Sequence, residues 1–302
     1  MNTVFFIVTN ECNNGCFYCL NKKYIENTYN KYSKLEKIHY EKTIADLAEF
    51  KTQNIILTGG EPLLHPEIFD IIGMAKNKGI HTVLLTNGET INNEILNKLR
   101  SSGLNGITLS LSKLLDQSAA DYRSQLASYI SVSEKIIKCF GSLSTVFLLT
   151  SKNYKSCFEI YKKFSNKENK GLIIQPLHIE NESNEFSQYS LKTLKQDQWK
   201  TIKEQLSDWM INYNTYNYVQ LIYDYYFSGE IHNISCFMGS DSMIVDLYGN
   251  AFPCFHKRDM YLGNIQVHPL RDIVMNCIHK SNALIDAGCI SSKCLSLFLN
   301  YV

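Results

Sequence analysis

The sequence predicts an α/β protein built as a partial (β/α)6 TIM-like barrel, followed by a small C-terminal domain. Six short apolar segments rich in β-branched residues recur along the first part of the chain, and a segment of helical periodicity separates each from the next. This alternation is typical of parallel strands joined by crossover helices. Six such units are too few to close an eight-stranded barrel, and the pattern changes after residue 177.

Each element is justified by its pattern. The predicted strands are Val4–Thr9, Asn54–Thr58, Thr82–Thr86, Ile107–Leu111, Ser144–Leu149 and Leu172–Leu177. The helices predicted between them are Ser33–Phe50, Pro66–Lys78, Ile91–Ser102, Ser118–Phe140 and Tyr154–Ser165. Several of these helices begin at a plausible cap or an early proline. In such a fold the functional site lies at the carboxyl ends of the strands.

The chain changes character beyond the sixth strand. An amphipathic helix is predicted over Leu191–Tyr213, and its Trp199 and Trp209 are expected in the core. A stretch rich in Tyr and Asn follows, and Cys236 then begins a segment with its own cysteine pattern. We therefore predict a boundary near residue 215, between a barrel domain over residues 1–215 and a smaller domain over residues 216–302.

The composition of the 302 residues, 45% apolar and 20% charged, is that of a soluble globular protein. A formal net charge of +1 argues against a broad phosphate-binding surface, so we expect no nucleic-acid partner. The opening apolar run is too short for a signal peptide, and no run approaches the ~20 residues of a membrane span. We expect a cytoplasmic protein without a membrane partner, whose ten cysteines suit metal ligation better than disulfides.

Three cysteines follow the first predicted strand within eight residues: Cys12, Cys16 and Cys19. Thiolates at this spacing on one loop can reach three corners of a small metal cluster, and without a fourth cysteine nearby one metal keeps an open coordination position. A structural zinc knuckle completed by His39 or His65 is the alternative. About forty residues later, the second predicted strand ends in Gly-Gly-Glu-Pro.

These two features together resemble the radical S-adenosylmethionine (radical SAM) superfamily, whose signature is CxxxCxxC after the first barrel strand and a GGEP-type turn after the second. The resemblance implies that Cys12, Cys16 and Cys19 hold a 4Fe–4S cluster whose unique iron chelates S-adenosylmethionine (SAM). It also implies an enzyme that reductively cleaves SAM to a 5′-deoxyadenosyl radical, which abstracts hydrogen from a substrate. A flavodoxin- or ferredoxin-type electron donor is the implied partner.

The resemblance extends to the SAM-binding residues near the cysteines. Tyr18 matches the position of an aromatic residue that commonly lies beside the adenine. Gly59 and Gly60 would let the backbone approach the ligand closely, and Glu61 with Pro62 would fix a turn whose carbonyls accept from an ammonium group. A plain strand-to-helix turn is the alternative for this segment.

Four further candidates lie at the end of the third predicted strand, within the fourth, and after the fourth. Thr86, Asn87 and Ser110 match positions that in relatives often face the ribose. Arg123 resembles the basic residue that often pairs with the SAM carboxylate, and an ordinary solvent-exposed helix arginine is the alternative for it.

A second cysteine pattern lies near the C-terminal end. It consists of C-x12-G-x4-C from Cys236 through Gly249 to Cys254, then Leu262-Gly263-Asn264-Ile265, and finally Cys289-x4-Cys294. This resembles the SPASM/twitch extension of radical SAM enzymes, in which C-x9–15-G-x4-C and a later GNI precede further cysteines that bind auxiliary Fe–S clusters. The x4 spacing of the last pair departs from the usual CxxC.

The number of cysteines in this segment sets how many clusters it can hold. Cys236, Cys254, Cys289 and Cys294 are enough to saturate one auxiliary 4Fe–4S cluster but not two. A four-cysteine zinc site is the alternative. Cys277 is predicted to be a buried apolar residue, although it could replace either of the last two cysteines.

SPASM/twitch relatives divide mainly between maturases of ribosomally made peptides and oxidases or epimerases of small molecules. We favour modification of a ribosomally synthesised peptide by cross-linking, oxidation or epimerisation. A small-molecule dehydrogenase or epimerase of the aminoglycoside or cyclitol type is the alternative. An Fe–S electron carrier or a zinc-stabilised binding module is the non-enzymatic alternative, but an electron carrier needs no ligand-cradling turn.

Overall fold

The structure is a computed structural model that describes residues 1–22, 31–166, 168–177, 187–213, 216–227 and 238–286. The predicted auxiliary ligands Cys236, Cys289 and Cys294 lie outside these ranges. Within them, none of the helices has the length and apolar character that crossing a membrane requires.

The described residues form eighteen α-helices and β-strands. In chain order they are β1 (Thr3–Thr9), α1 (Lys37–Glu49), β2 (Asn54–Gly59), α2 (Ile68–Asn77), β3 (His81–Thr86), α3 (Asn93–Ser102), β4 (Gly106–Ser110), α4 (Tyr122–Phe140), β5 (Leu143–Leu149), α5 (Cys157–Phe164), β6 (Lys170–Pro176), α6 (Gln196–Gln205), α7 (Ser207–Tyr213), α8 (Tyr216–Phe227), β7 (Ser242–Val245), β8 (Asn250–Phe252), β9 (Gly263–Asn264) and α9 (Leu270–Asp286). Short 3-10 helices occupy Pro62–Leu64, Tyr154–Ser156, Ser187–Tyr189 and Leu191–Thr193.

The predicted α/β fold with parallel strands is confirmed. Strands β1 to β6 coincide with the six predicted strands to within two residues at each end. The helix predicted over Leu191–Tyr213 is instead a 3-10 turn followed by α6 and α7, which are separated at Leu206. Trp199 and Trp209 are buried there, as predicted.

The chain forms two compact units, one of Met1–Thr108 with Phe237–Ala287 and one of Leu109–Cys236 with Gly288–Val302. Strand β4 spans the division between them. These units are defined by packing and do not test the predicted sequence boundary near residue 215, which stays a prediction.

In the first unit, β1 lies between β2 and β7 and runs parallel to both. Phe5 of β1 is aligned with Ile56 on one side and Ile244 on the other. Strand β3 continues the sheet beyond β2 in parallel, whereas β8 and β9 continue it antiparallel beyond β7. All residues of β1 after Thr3 are buried, as expected for a parallel strand that is covered on both faces. The carboxyl ends of β1, β2 and β3 therefore meet at one edge.

In the second unit, β5 and β6 pair in parallel along seven residues, from Leu143 opposite Lys170 to Leu149 opposite Pro176. The fully buried Phe164 of α5 and Trp199 of α6 belong to the core of this unit. The Trp199 ring meets Tyr223 of α8 edge-on, with the ring centroids 5.8 Å apart.

Candidate functional site

The three cysteines lie on the loop that directly follows β1, which we call the Cys loop (residues 10–19). Cys12 is exposed, Cys16 and Cys19 are half-buried, and all three are free thiols. Burial raises the pKa of Cys12 and Cys16, and the charge of the neighbouring cysteine thiolates raises it further. A bound metal cation favours the thiolate form of cysteine. A bound cluster would therefore oppose both the effect of burial and the effect of the neighbouring thiolate charges on these pKa values.

The loop also offers hydrogen-bond donors to sulfur. The backbone N–H of Asn14 donates to Cys12 Sγ at 3.4 Å. Asn14 Nδ2 is buried, and no acceptor for it is found among the described residues. A buried N–H group without an acceptor is unfavourable, and the sulfurs of Fe–S clusters accept such bonds. Three thiols beside a buried amide donor fit a 4Fe–4S cluster.

The zinc alternative gains no support from the described part of the chain. No group of three His, Cys, Asp or Glu side chains there is arranged to hold a single metal ion. The Nδ1 atoms of His39 and His65 each accept a backbone N–H, from Glu36 and Glu67 respectively. In a 4Fe–4S cluster, by contrast, each cysteine binds a different iron.

The turn after β2 fits closely against the Cys loop. The backbone N–H groups of Gly60 and Glu61 donate to the carbonyls of Thr9 and Glu11, each at 2.7 Å. A Cβ on Gly59, whose φ is +154°, would lie 2.4 Å from the Thr9 carbonyl oxygen, and one on Gly60 would lie 2.1 Å from that of Glu11. The close approach that requires these glycines is therefore to the backbone at the end of β1 and the start of the Cys loop.

Glu61 joins this turn to the end of β3. Its carboxylate is fully buried and accepts from Thr86 Oγ1 at 2.7 Å, from the Asn87 N–H at 2.9 Å and from the Leu63 N–H at 3.3 Å. Burial raises the pKa of Glu61, and the hydrogen bonds from Asn87, Thr86 and Leu63 oppose that shift. A side chain with three such bonds holds the turn in one conformation.

Thr86 and Asn87 are buried and take part in the same network. Asn87 Nδ2 donates to Asn13 Oδ1 at 2.8 Å, which connects the end of β3 to the Cys loop. Thr86 Oγ1 also accepts from the Gly88 N–H. In the structure both side chains therefore stabilise the turn and the Cys loop. Their contact with a ribose stays a prediction.

Two residues that the sequence did not indicate complete this arrangement. Asn21 Nδ2 donates to the Gly59 carbonyl at 2.7 Å, and Asn21 Oδ1 accepts from Arg258 Nη2. The guanidinium of Arg258 also lies over the Phe255 ring, 5.9 Å from its centroid. The only sequence feature that points to these two residues is their position near a cysteine. Asn21 follows Cys19 by two residues, and Arg258 follows Cys254 by four.

The remaining candidates lie in different surroundings. Tyr18 meets Phe17 edge-on, with the ring centroids 5.4 Å apart. Ser110 is half-buried at the end of β4. Arg123 Nη1 donates to both carboxylate oxygens of Glu159, at 2.7 and 2.9 Å, and its side chain is 77% exposed. The guanidinium of Arg123 therefore has a carboxylate partner within the protein, and its pairing with SAM stays a prediction.

In the sequence, a tight hairpin between β7 and β8 lies between Cys236 and Cys254. Gly249 in its turn has φ +82°. The fully buried Asn264 holds this turn, because its Nδ2 donates to the Tyr248 carbonyl at 2.7 Å and to Asn250 Oδ1 at 2.9 Å. The G-x4-C and GNI motifs thus form one structural unit, which fixes the start of the segment that carries Cys254.

Two of the C-terminal cysteines are described. Cys254 is half-buried just after β8, and Cys277 is fully buried in α9. Burial raises the pKa of Cys277 to about 12, and the charge of Cys254 contributes to the rise. Cys277 is thus buried as predicted, and it lies near one of the predicted auxiliary ligands.

Two family models match the chain. Residues 6–140 match the radical SAM superfamily, and residues 236–289 match SPASM, an iron–sulfur cluster-binding domain. The first match contains the Cys loop and the turn after β2, and the second contains Cys236, Cys254, Cys277 and Cys289.

Two curated relatives differ in their named activities. The GTP 3',8-cyclase of Chlorobaculum tepidum is 39% identical over 108 residues, which are 35% of this chain and 32% of that enzyme. The chain thus spans about a third of that relative's length. The AdoMet-dependent heme synthase of Methanosarcina barkeri is 23% identical over 297 residues, covering 89% of this chain and 80% of the enzyme.

Two solved structures share the fold. SuiB of Streptococcus suis bound to precursor peptide SuiA has a TM-score of 0.63 at 14% identity, over 90% of this chain and 64% of SuiB. BtrN in complex with AdoMet and 2-DOIA has a TM-score of 0.51 at 16% identity, over 95% of this chain and 88% of BtrN.

Proposed function

Because the chain carries a radical SAM domain and a SPASM iron–sulfur cluster-binding domain, we propose that this enzyme cleaves SAM at the Cys loop and abstracts hydrogen from a ribosomally synthesised peptide. The hydrogen bonds that join the Cys loop to the ends of β2 and β3 carry the first part of this proposal. They bring a three-thiol loop, which can hold a cluster with one open iron, into direct contact with the Gly-Gly-Glu-Pro turn.

Cys12, Cys16 and Cys19 would hold the cluster that binds SAM. Once bound, the cluster and SAM supply a 5′-deoxyadenosyl radical as the hydrogen-abstracting species. A flavodoxin- or ferredoxin-type protein is the proposed electron donor. Cys236, Cys254, Cys289 and Cys294 are the proposed ligands of one auxiliary 4Fe–4S cluster.

The chain's own residues contribute pre-organisation. Glu61 is held by three hydrogen bonds, so the turn that it belongs to cannot shift without breaking them. Asn13 and Asn87 fix the Cys loop against the end of β3. Tyr18, Ser110 and Arg123 remain candidates for contacts with the adenine, the ribose and the carboxylate of SAM.

A peptide substrate is supported by the likeness to SuiB, whose structure holds its precursor peptide. The small-molecule alternative is supported by BtrN, because this chain covers 88% of BtrN but 64% of SuiB. The curated relatives are named for two different activities, a GTP 3',8-cyclase and an AdoMet-dependent heme synthase, and they favour neither candidate. We favour the peptide and keep a small molecule of the aminoglycoside or cyclitol type as the second candidate.

The proposal is tested first by SAM cleavage. Anaerobically reconstituted protein with dithionite and SAM should form 5′-deoxyadenosine. The variant in which Cys12, Cys16 and Cys19 are all replaced by alanine should form none, because no other described thiols are positioned on this loop. Cys139→Ala, a half-buried cysteine of α4, is the matched control and should retain cleavage. Equal cleavage by the triple variant and the control would contradict the assignment.

The substrate is tested by co-expression with short peptides encoded beside the gene. A peptide that loses two hydrogens indicates cross-linking or oxidation, and one that gains deuterium from heavy water without another mass change indicates epimerisation. Consumption of an aminoglycoside or cyclitol, with every such peptide unaltered, would favour the alternative.

A further inference from the structure

We propose that Arg258 is a positioning residue for SAM binding, which acts through Asn21 on the turn after β2. This inference rests on the proposed function. Arg258 belongs to the segment that carries Cys254, whereas Asn21 follows the last cysteine of the Cys loop. All of these residues lie in the first compact unit.

The amide of Asn21 is held in one orientation by its two partners. A guanidinium only donates hydrogen bonds, and a backbone carbonyl only accepts them. Arg258 therefore requires the amide oxygen on its side, which leaves Nδ2 directed at the Gly59 carbonyl, 2.7 Å away. Without Arg258, the side chain of Asn21 could rotate and lose its bond to the turn.

This bond fixes the second end of the Cys loop. The first end is fixed to the turn by the bonds from Gly60 to Thr9 and from Glu61 to Glu11. Asn21 adds a bond from just beyond Cys19 to Gly59. The loop is thereby attached to the turn on both sides of the three cysteines, so loss of the Asn21 bond frees one end.

Arg258 is itself held by the surrounding structure. Its guanidinium lies over Phe255, and Phe255 meets Phe5 of β1 edge-on, with the ring centroids 5.5 Å apart. The segment begins directly after β8, which pairs with β7 beside β1. A rearrangement near Cys254 would therefore reach the SAM-binding turn through Arg258 and Asn21. The auxiliary-cluster segment is in this way energetically coupled to the SAM site.

The test measures SAM affinity and backbone exchange in single and double variants. Arg258→Gln should weaken SAM binding to the reconstituted protein about tenfold, the effect of losing one charge-assisted hydrogen bond. Asn21→Asp should do the same, because an aspartate keeps an acceptor for Arg258 but cannot donate to Gly59. The double variant should bind SAM with about the affinity of whichever single variant binds it less tightly. The two effects should not add, because both substitutions interrupt the same path from Arg258 through Asn21 to Gly59.

The second readout needs neither iron nor SAM. In the cluster-free chain, Arg258→Gln should accelerate amide exchange at Gly60 and Glu61, whose N–H groups bond to the Cys loop. Arg258→Lys should lie between wild type and Arg258→Gln, because lysine retains the charge but not the planar fork. If Arg258→Gln does not fold, the comparison of Arg258→Lys with wild type decides the question.

Arg271→Gln is the matched control, because it removes the same charge from an exposed position of α9 in the same unit. The inference would be overturned if the Arg258 variants had the same SAM affinity and the same amide exchange rates as Arg271→Gln. Wild-type protein that neither binds nor cleaves SAM would instead contradict the proposed function. The exchange measurement separates these two failures, since it does not depend on SAM.

Discussion

At the scale of single residues, the contact between the Cys loop and the turn is the most demanding feature of the site. A Cβ on Gly60 would lie 2.1 Å from the Glu11 carbonyl oxygen, which cannot retreat without breaking its bond to the Glu61 N–H. Gly15, in the middle of the same loop, has no neighbouring atom within 4 Å of such a Cβ. The two glycines therefore have opposite tolerances for a methyl group.

We predict that Gly60→Ala lowers the free energy of unfolding by about 1–3 kcal/mol, the range for an overpacked site, and abolishes SAM cleavage. Gly15→Ala is the matched control, and its free energy of unfolding should lie within about 0.5 kcal/mol of the wild-type value. Chemical denaturation of both cluster-free variants measures the difference. Equal stabilities would show that the loop and the turn are not in contact.

Arg123 distinguishes a surface ion pair from a ligand contact. Because its side chain is mostly exposed, loss of the pair with Glu159 should change the free energy of unfolding by no more than about 1 kcal/mol. If Arg123 also pairs with the SAM carboxylate, Arg123→Ala should weaken SAM binding by about 1.5–3 kcal/mol. Glu159→Gln is the control that removes only the ion pair. SAM affinity unchanged in Arg123→Ala would leave Arg123 as a surface residue.

The residues of the site were predictable from sequence to unequal degrees. The three cysteines and the Gly-Gly-Glu-Pro turn could be recognised because each is a short motif that resembles the signature of the radical SAM superfamily. Asn21 and Arg258 could not, because they are 237 positions apart and meet only through the pairing of β1 with β7. The sequence indicates that Gly59 and Gly60 allow a close backbone approach, but it does not show that the approaching backbone is the end of β1 and the start of the Cys loop.

At the scale of elements, α9 contains Cys277, which is either a packing residue or a ligand of the auxiliary cluster. Cys277 is fully buried in this helix, where burial raises its pKa to about 12 and favours the neutral thiol. As a packing residue it should tolerate alanine at a loss of about 1–2 kcal/mol in the free energy of unfolding, and serine at a greater loss, because serine buries a hydroxyl group.

We therefore predict that Cys277→Ala retains the iron content of wild type, whereas Cys254→Ala loses the auxiliary iron. Iron and sulfide analysis of the two variants after reconstitution makes the comparison directly. Loss of iron in Cys277→Ala as well would make Cys277 a ligand in place of one of the last two cysteines.

The existence of the elements was predictable, but some of their ends were not. Helix α1 begins at Lys37 rather than near Ser33, because the His39 ring accepts the Glu36 N–H and caps the helix there. The long apolar pattern over Leu191–Tyr213 gave no sign of the break at Leu206. A periodic pattern reports which face is buried, and capping side chains and local packing decide where the helix stops.

At the scale of the whole molecule, the number of Fe–S clusters per chain tests whether the auxiliary cluster exists. One cluster at the Cys loop and one auxiliary cluster give about eight iron atoms per chain. Replacing Cys12, Cys16 and Cys19 together by alanine should reduce this to about four. Mössbauer spectra with iron and sulfide analysis provide the count. Bound zinc, or no metal after the triple replacement, would contradict the auxiliary cluster.

The position of β7 beside β1 also bears on how the chain folds during synthesis. Thr3 of β1 is aligned with Ser242 of β7, so β1 obtains one of its two neighbours only after all the residues between these two strands have been synthesised. Until then, one edge of a strand that is apolar from Val4 to Val8 has no partner from β7, and such edges promote association between nascent chains. Contacts of this sequence separation also form slowly. Efficient production of this protein would therefore depend on chaperones that shield β1 while the remaining residues are made.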